Sequence, residues 1–360
     1  MKYKISFPNF GNYHYPLQVF LRKIFKVDIL SPKKTTKKTL EIGAKSSPDF
    51  VCLPFKYNLG NFIESLEDGA NVLIQAGGGC RYGYYGEVQE AILKDLGYDF
   101  TFINLMENGS FSLYKFYKEA KKFNKKLNIF TYFYHIIVTM NNIYSMDKID
   151  KFIRESAKYE LSDGILLNIR KSYFNRMLDN YGLIYGYKNY LLTKKMMKGN
   201  ILKDKSQDNT LKICLIGELY SLIEHEASYN IEEYLIKNHI EVRRYTDLTY
   251  LLITKKFNGR RLQERAKKYI KYKLGADGSD NVAHALEVID EGFDGIIHMK
   301  PFSCSPEINI VPILQKISKD KNIPILFLTF DSQYAKGAID TRIEAFIDML
   351  NMRKEEDNNE

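Results

Sequence analysis

Short apolar runs alternate with amphipathic stretches near the start of the chain. KISF, VDIL, DFVC, NVLIQ and DFTFINL have the length and composition of strands. Between them, apolar residues recur at helical spacing over 16–25, 57–67 and 87–96, and a shorter helix is predicted over 40–43. Strands that alternate with helices in this way predict a parallel sheet with helices on both faces.

The same alternation returns in the last third of the chain. LKICLIGE, IEVRRY, DGIIHM and IPILFLTF predict strands. Helices are predicted over 230–238, 259–273, 281–291, 308–319 and 340–351, with Ser279 or Asp280 as the N-cap of the third. Residues from about 110 to 200 differ, because they are rich in Lys, Tyr, Phe, Asn and Met and give mainly helical signals.

These patterns predict an α/β fold of two Rossmann- or flavodoxin-like parallel-sheet domains, joined by a helical bridging section. We expect an N-terminal domain over 1–109, the helical section and a linker over 110–210, a C-terminal domain over 211–353, and a flexible charged tail over 354–360. The polar stretch 198–210 is the expected linker.

Composition and charge narrow the class of protein. Hydrophobic residues make up 45% and charged residues 27% of the 360, as in a soluble globular protein. Neither a signal peptide nor a membrane span is predicted, so we expect a cytoplasmic protein. The net charge is +9, but no nucleic-acid motif accompanies it, and we interpret the lysines as solvated surface.

The four cysteines are the main candidates for chemistry. Cys52, Cys80 and Cys304 each follow a predicted strand and precede a helix, at the edge of a parallel sheet where open α/β folds bind ligands. Cys52 and Cys304 share the pattern Cys-x-Pro, which places each just before a helix N-terminus, where a thiolate is stabilised. Cys214 lies inside an apolar strand and is expected to pack there.

The surroundings of Cys80 and Cys304 offer further candidates. Gly78 and Gly79 would let the backbone approach a bulky group beside Cys80, and Arg81 adds positive charge. Glu307 follows Cys304 in a first helical turn, where it either complements the helix dipole or takes part in acid–base chemistry. The thiols themselves are open to two interpretations, as packing residues or as metal ligands.

Three long stretches carry a resemblance to a known family. They are DFVCLPFKYNLGNFIESLEDGANVLI, GGGCRYGYYGEVQEAILKDLGYDF, and DNVAHALEVIDEGFDGIIHMKPFSCSPEINIVPILQKISKDKNIPILFLTFD. In these stretches the chain resembles the 2-hydroxyacyl-CoA dehydratase superfamily, and most of all its stand-alone branch of acyl-CoA dehydratase activase-related proteins. The helical middle is less similar.

The resemblance implies a cofactor and partners. Cysteines in these positions bind a [4Fe–4S] cluster in that superfamily, which implies Cys52, Cys80 and Cys304 as ligands of one cluster at the domain interface. A separate ATP-dependent activase would donate a low-potential electron, since this chain has no actin-like ATPase segment. The implied substrate is an acyl-CoA, and the chain would act as a lyase or a reductase component, alone, as a homodimer or as a heterodimer.

Two alternatives remain open at this point. One is an iron–sulfur electron-transfer or binding protein without turnover of its own. The other is a zinc-binding protein on the same fold, although structural zinc sites usually draw their cysteines in close pairs and need a fourth ligand. We expect no nucleic acid and no membrane as partners.

Overall fold

The computed structural model describes residues 2–78, 80–107, 110–202, 210–272, 274–332 and 336–359. Packing divides the chain into two units. The N-terminal unit comprises Met1–Ile143 and Phe174–Tyr187, and the C-terminal unit comprises Tyr144–Tyr173 and Lys188–Glu360.

The first part of the chain alternates strands and helices as predicted. Its elements are β1 (Lys4–Ser6), α1 (His14–Phe25), β2 (Asp28–Ile29), α2 (Lys37–Ser46), α3 (Leu53–Glu67), β3 (Val72–Gln75), α4 (Tyr85–Asp95), β4 (Thr101–Asn104), β5 (Met106–Glu107), β6 (Ser110–Phe111) and α5 (Leu113–Phe123).

Three long helices form most of the middle, and the last part again alternates. The helices are α6 (Ile129–Ser156), α7 (Ile165–Asp179) and α8 (Leu183–Gly199). The later elements are β7 (Lys212–Gly217), α9 (Leu219–Ile223), α10 (Ile231–Lys237), β8 (Glu241–Arg244), α11 (Lys255–Ala266), α12 (Gly278–Asp290), β9 (Gly295–Pro301), α13 (Ser305–Lys321), β10 (Ile325–Phe330) and α14 (Lys336–Asn359).

Each unit contains a four-stranded sheet in which all strand pairs are parallel. The strand orders are β2-β1-β3-β4 and β10-β9-β7-β8. Counted from the first strand of each unit, both orders read 2-1-3-4, which is the flavodoxin-like arrangement. The predicted α/β class with two parallel-sheet domains is therefore confirmed.

The central strands are buried and mainly apolar because both faces of each sheet are covered. All residues of β3 and all residues of β9 are buried, as is typical of parallel strands between helices. In the N-terminal unit, Phe20 and Phe116 pack on one side of the sheet and Phe55 and Phe62 on the other. No helix in the described part of the chain has the length and apolar character needed to cross a membrane.

Several sequence predictions differ from the structure. The run DFVC forms no strand; residues 49 and 50 make a turn between α2 and α3, because Cys52 already caps the helix that Pro54 starts. Asp277, and not Ser279 or Asp280, is the N-cap of α12, since the Ser279 hydroxyl bonds the backbone of Leu274.

Other differences concern element ends and the middle of the chain. Helix α11 begins at Lys255, four residues earlier than predicted, and α14 continues to Asn359, so the expected charged tail is helical. The division between the units falls inside α6, α7 and α8. The boundaries proposed at 109 and 210 stay predictions, and residues 203–209 of the expected linker lie outside the described residues.

Helices α2 and α3 touch through two glycines, and α3 carries Cys52 at its N-terminus. A Cβ at Gly60 would lie 1.9 Å from the Thr39 carbonyl oxygen, and a Cβ at Gly43 would lie 1.8 Å from the Lys56 carbonyl oxygen. We expect Gly60→Ala to lower the free energy of unfolding by about 3 kcal/mol, because the backbones must move apart. Urea unfolding measures the change.

Gly259→Ala is the matched control for this prediction. Gly259 lies inside α11, and a Cβ there would have no atom from another part of the fold within 4 Å. Alanine at this position should therefore raise the stability by up to ~1 kcal/mol through helix propensity. Equal stabilities of Gly60→Ala and the wild type would show that α2 and α3 are not packed as closely as described.

Candidate functional site

Cys52 lies immediately before α3, as the Cys-x-Pro pattern predicted. Its backbone is extended, Pro54 stands in the first turn of the helix, and its side chain makes no capping hydrogen bond. The half-buried Cys52 Sγ lies 2.9 Å from Tyr85 Oη. Burial, followed by the charge of Cys52, raises the pKa of Tyr85 far above its usual value. Tyr85 therefore stays protonated and can donate a hydrogen bond to a Cys52 thiolate.

Cys80 follows β3 and the glycine loop, and its side chain is exposed. It caps a 3₁₀ turn over Arg81–Tyr84, and its Sγ accepts a hydrogen bond from Tyr82 N at 3.5 Å. A Cβ at Gly78 would make only ordinary contacts with Tyr82, the nearest at 3.6 Å, so packing within the chain does not require a glycine there. Gly79 lies outside the described residues.

Two tyrosines connect the surroundings of Cys52 and Cys80. The rings of Tyr82 and Tyr85 lie 5.2 Å apart, and Tyr82 Oη accepts a hydrogen bond from Asn58 Nδ2. Tyr85 contacts Cys52 through its hydroxyl, while Tyr82 contacts Cys80 through its backbone. The structure thus brings these two cysteines into one neighbourhood of the N-terminal unit.

Cys304 has the same relation to α13 that Cys52 has to α3. It is the N-cap residue with extended backbone, Pro306 stands in the first turn, and the thiol makes no capping hydrogen bond. Burial lowers the pKa of the nearby Lys300, and the charges of Cys304 and Glu307 act against this shift. By contrast, Cys214 is fully buried in β7, and burial raises the pKa of its thiol, in agreement with the predicted packing role.

Glu307 belongs to a buried polar group at the carboxyl edge of the C-terminal sheet. Its Oε2 lies 2.8 Å from His298 Nε2, and its Oε1 accepts a hydrogen bond from Asn281 Nδ2 at 3.0 Å. Asn281 Nδ2 also donates to the Gly217 carbonyl at 3.0 Å. All three side chains are buried. The group therefore ties α12 and α13 to the ends of β7 and β9, the two strands that flank the switch point where flavodoxin-like sheets bind ligands.

Glu218 stands at the same edge, directly after β7. Its carboxylate accepts hydrogen bonds from Tyr220 N and Ser221 N, each at 2.9 Å, and so caps α9. Burial raises the pKa of Glu218 to about 7, and the charge of Glu307 adds to the shift. The side chain is only partly buried. A carboxyl group with this pKa can take up or release a proton near neutral pH.

The segment that forms this edge matches the model of a known protein family. Residues 214–350 match the family model of the 2-hydroxyglutaryl-CoA dehydratase, D-component. This segment is similar to that dehydratase component, which supports the resemblance of the chain to the 2-hydroxyacyl-CoA dehydratase superfamily. The match spans Cys304, the buried polar group and Glu218, whereas Cys52 and Cys80 lie outside it. No curated protein matches the chain.

Iron–sulfur clusters are known in this dehydratase superfamily, and cysteine thiolates are the usual ligands of such clusters. None of the four cysteines forms a disulfide, and three of them stand at helix or turn starts with thiols that are not fully buried. Within the described ranges, no group of three or more His, Cys, Asp or Glu side chains is arranged to hold a metal ion. Cys52 and Cys80 belong to the N-terminal unit and Cys304 to the C-terminal unit.

Sequence reasoning missed Glu218 and Asn281. Both act through contacts that exist only when β7 and β9 pair and α12 packs beside them. The available signal was positional: Glu218 directly follows the first strand of a predicted parallel sheet, at the edge where open α/β folds bind ligands. His298 hydrogen-bonds to Glu307, and both side chains are buried.

The Glu218 carboxyl predicts a pH dependence of stability. Its pKa is about 7 in the folded chain against 4.5 for an ordinary glutamate. Between these values the folded state holds a proton that the unfolded state has lost, so stability falls as pH rises, and the loss is complete above pH 7. We expect the melting temperature of the wild type to fall across this range relative to Glu218→Gln. A constant difference between the two proteins from pH 4 to 8 would contradict the assignment.

Proposed function

We propose that this chain holds one [4Fe–4S] cluster through Cys52, Cys80 and Cys304 and serves as a dehydratase-type component for reductive or radical chemistry on an acyl-CoA. The observation that supports this most strongly is the family match over the segment that carries Cys304. The shared placement of Cys52 and Cys304 at proline-started helices supports a common role for the two thiols.

The protein groups around the cysteines suit an anionic cluster. The N-termini of α3 and α13 present positive dipole ends to Cys52 and Cys304, typically worth about 0.3–1 kcal/mol each at an exposed site. Tyr85 can donate a hydrogen bond to a Cys52 thiolate, and Arg81 adds a positive charge beside Cys80. In this proposal Gly78 and Gly79 let backbone amides approach the cluster. When bound, the cluster supplies one-electron chemistry at low potential, with one iron free of protein ligands.

In this proposal, a carboxyl group of the C-terminal unit transfers the proton. Glu307 was the first catalytic candidate, but both of its oxygens are engaged by buried partners, which suits a positioning role. Glu218 is partly accessible and has a pKa of about 7. We therefore favour the Glu218 carboxyl as the group that holds or releases a proton, with Glu307 fixing its surroundings.

The partner in this proposal is a separate ATP-dependent activase that donates the electron. We also propose a cytoplasmic location, because thiols stay reduced in that compartment. The N-terminal unit has a basic depression lined by Lys2, Arg22, Lys23 and Lys26. This depression lies at the amino edge of the sheet, the edge opposite Cys80.

Anaerobic mixing with a candidate activase tests the proposed function. The visible absorption of the cluster should decrease only when activase, reductant and ATP are all present, since the electron must be driven to low potential. Reduction followed by loss of a hydroxyl or of a double bond from an added acyl-CoA would support an enzyme. A protein that is reduced equally well without ATP or activase would contradict the activase partnership.

A further inference from the structure

The first half of α6 presents an apolar face that nothing in the described part of the N-terminal unit covers. Phe130, Phe133, Tyr134 and Ile137 recur at helical spacing and are exposed, Phe130 by 84%. From 127 to 146 the chain contains no Asp, Glu, Lys or Arg. An exposed helical stripe normally carries charged residues, so this stripe is exceptional for a surface in contact with water.

The start of α8 extends this face. Ile184, with 69% exposure, and Tyr185 are apolar and exposed. Gly182 lies between the two helices: a Cβ there would be 3.6 Å from Tyr134 Oη and 3.8 Å from the Tyr185 ring. The six residues Phe130, Phe133, Tyr134, Ile137, Ile184 and Tyr185 therefore form one surface, which we call the aromatic face.

Beneath the aromatic face lies the buried His135, and Lys23 stands over the neighbouring Tyr181 ring, 4.8 Å from its centroid. His135 Nδ1 lies 2.6 Å from Tyr181 Oη, which fixes α6 to the segment before α8. Burial lowers the pKa of His135 to about 4, so the imidazole is neutral at physiological pH. The opposite side of α6 is buried by Tyr132 and Val138. A membrane-surface helix would instead carry Lys and Arg on that side.

The size of the aromatic face matches a protein interface. The six side chains expose roughly 700 Å² together, taking about 200 Å² for each fully exposed residue. A standard interface buries about 800 Å² per partner, whereas the largest apolar patch on a typical monomer covers about 300–600 Å². Aromatic enrichment and absence of charge are the composition of an interface core.

We infer that the aromatic face is the contact between two copies of this chain. A two-fold axis brings the same patch of both copies together, and an uncharged, tyrosine-rich patch is complementary to itself. A different acidic partner would be drawn to the lysine-rich remainder of this +9 chain, and the face offers such a partner no cation. This inference does not depend on the proposed cluster.

Sedimentation of the purified chain tests the inference. The wild type should sediment at twice 42.0 kDa at loading concentrations of about 1–100 μM. Ile137→Glu and Ile184→Glu, one on each helix, should each raise the dimer dissociation constant at least tenfold, because a charge is buried in the contact. Phe257→Glu is the matched control, since Phe257 is exposed on α11 in the C-terminal unit, and it should leave the dimer unchanged.

Three results would overturn the inference. The first is a wild type that stays monomeric over the whole concentration range. The second is dimerisation of both glutamate variants with wild-type affinity, which would place the contact elsewhere. The third is binding of the wild type to anionic vesicles that Ile137→Glu abolishes, which would assign the aromatic face to a membrane surface. Circular dichroism checks that each variant is folded, and Tyr185→Ser replaces either variant that is not.

Discussion

Replacing Cys52, Cys80 or Cys304 with alanine should remove nearly all iron and sulfide from the anaerobically purified protein. A cubane held by three thiolates has no spare protein ligand, so each single change leaves two. Cys214→Ala should keep the full cluster, because its thiol is buried in β7 away from any helix start. Iron and acid-labile sulfide per chain, measured beside the visible absorption, give the result.

The same series tests each proposed ligand separately. Circular dichroism must show that the variants remain folded, and Cys→Ser versions repeat the test with a side chain closer in size. If one of the three variants retains the iron content of the wild type, the replaced cysteine is not a ligand, and the other two cysteines stay in the proposed ligand set. Loss of iron from Cys214→Ala with its fold retained would contradict the packing role of that residue.

Glu307→Ala should lower the free energy of unfolding by about 3–5 kcal/mol. The change leaves His298 and Asn281 buried with their hydrogen-bonding partner removed, and breaking a buried pair from one side is costly. Chemical denaturation measures the loss. Glu307→Gln should lower the free energy of unfolding by less, because its amide oxygen can still accept a hydrogen bond from Asn281 or His298.

Glu87→Ala is the control for Glu307. Both glutamates lie in the first turn of a helix, but Glu87 in α4 is exposed. Its removal should lower the free energy of unfolding only by the contribution of the helix dipole, about 0.3–1 kcal/mol. If both variants lose the same free energy of unfolding, Glu307 only complements the helix dipole and does not position the surroundings of Glu218.

The fold was largely predictable because its signals are local. The strands β3 and β9 are mainly apolar, and the prolines at 54 and 306 mark the helix starts after two cysteines. DFVC was mistaken for a strand for the same reason: it is a short apolar run, but the chain turns there and Val51 packs against the core without a paired strand.

The site was less predictable because its contacts join distant residues. SPEINI resembles the exposed start of any helix, and Glu307 is buried only because Asn281 and His298 close over it, 26 and 9 residues away in sequence. The raised pKa of Glu218 likewise depends on burial at the end of a paired strand. Periodicity also failed to reveal the aromatic face, since apolar residues on both sides of α6 predict burial all round.

Metal and sulfide content of the wild-type chain is the most direct test of the central claim. Protein purified without oxygen should contain about four iron and about four acid-labile sulfide per chain, with little zinc. One zinc per chain without sulfide would contradict the cluster and favour a zinc protein on this fold. Absence of any bound metal under the same conditions would contradict both.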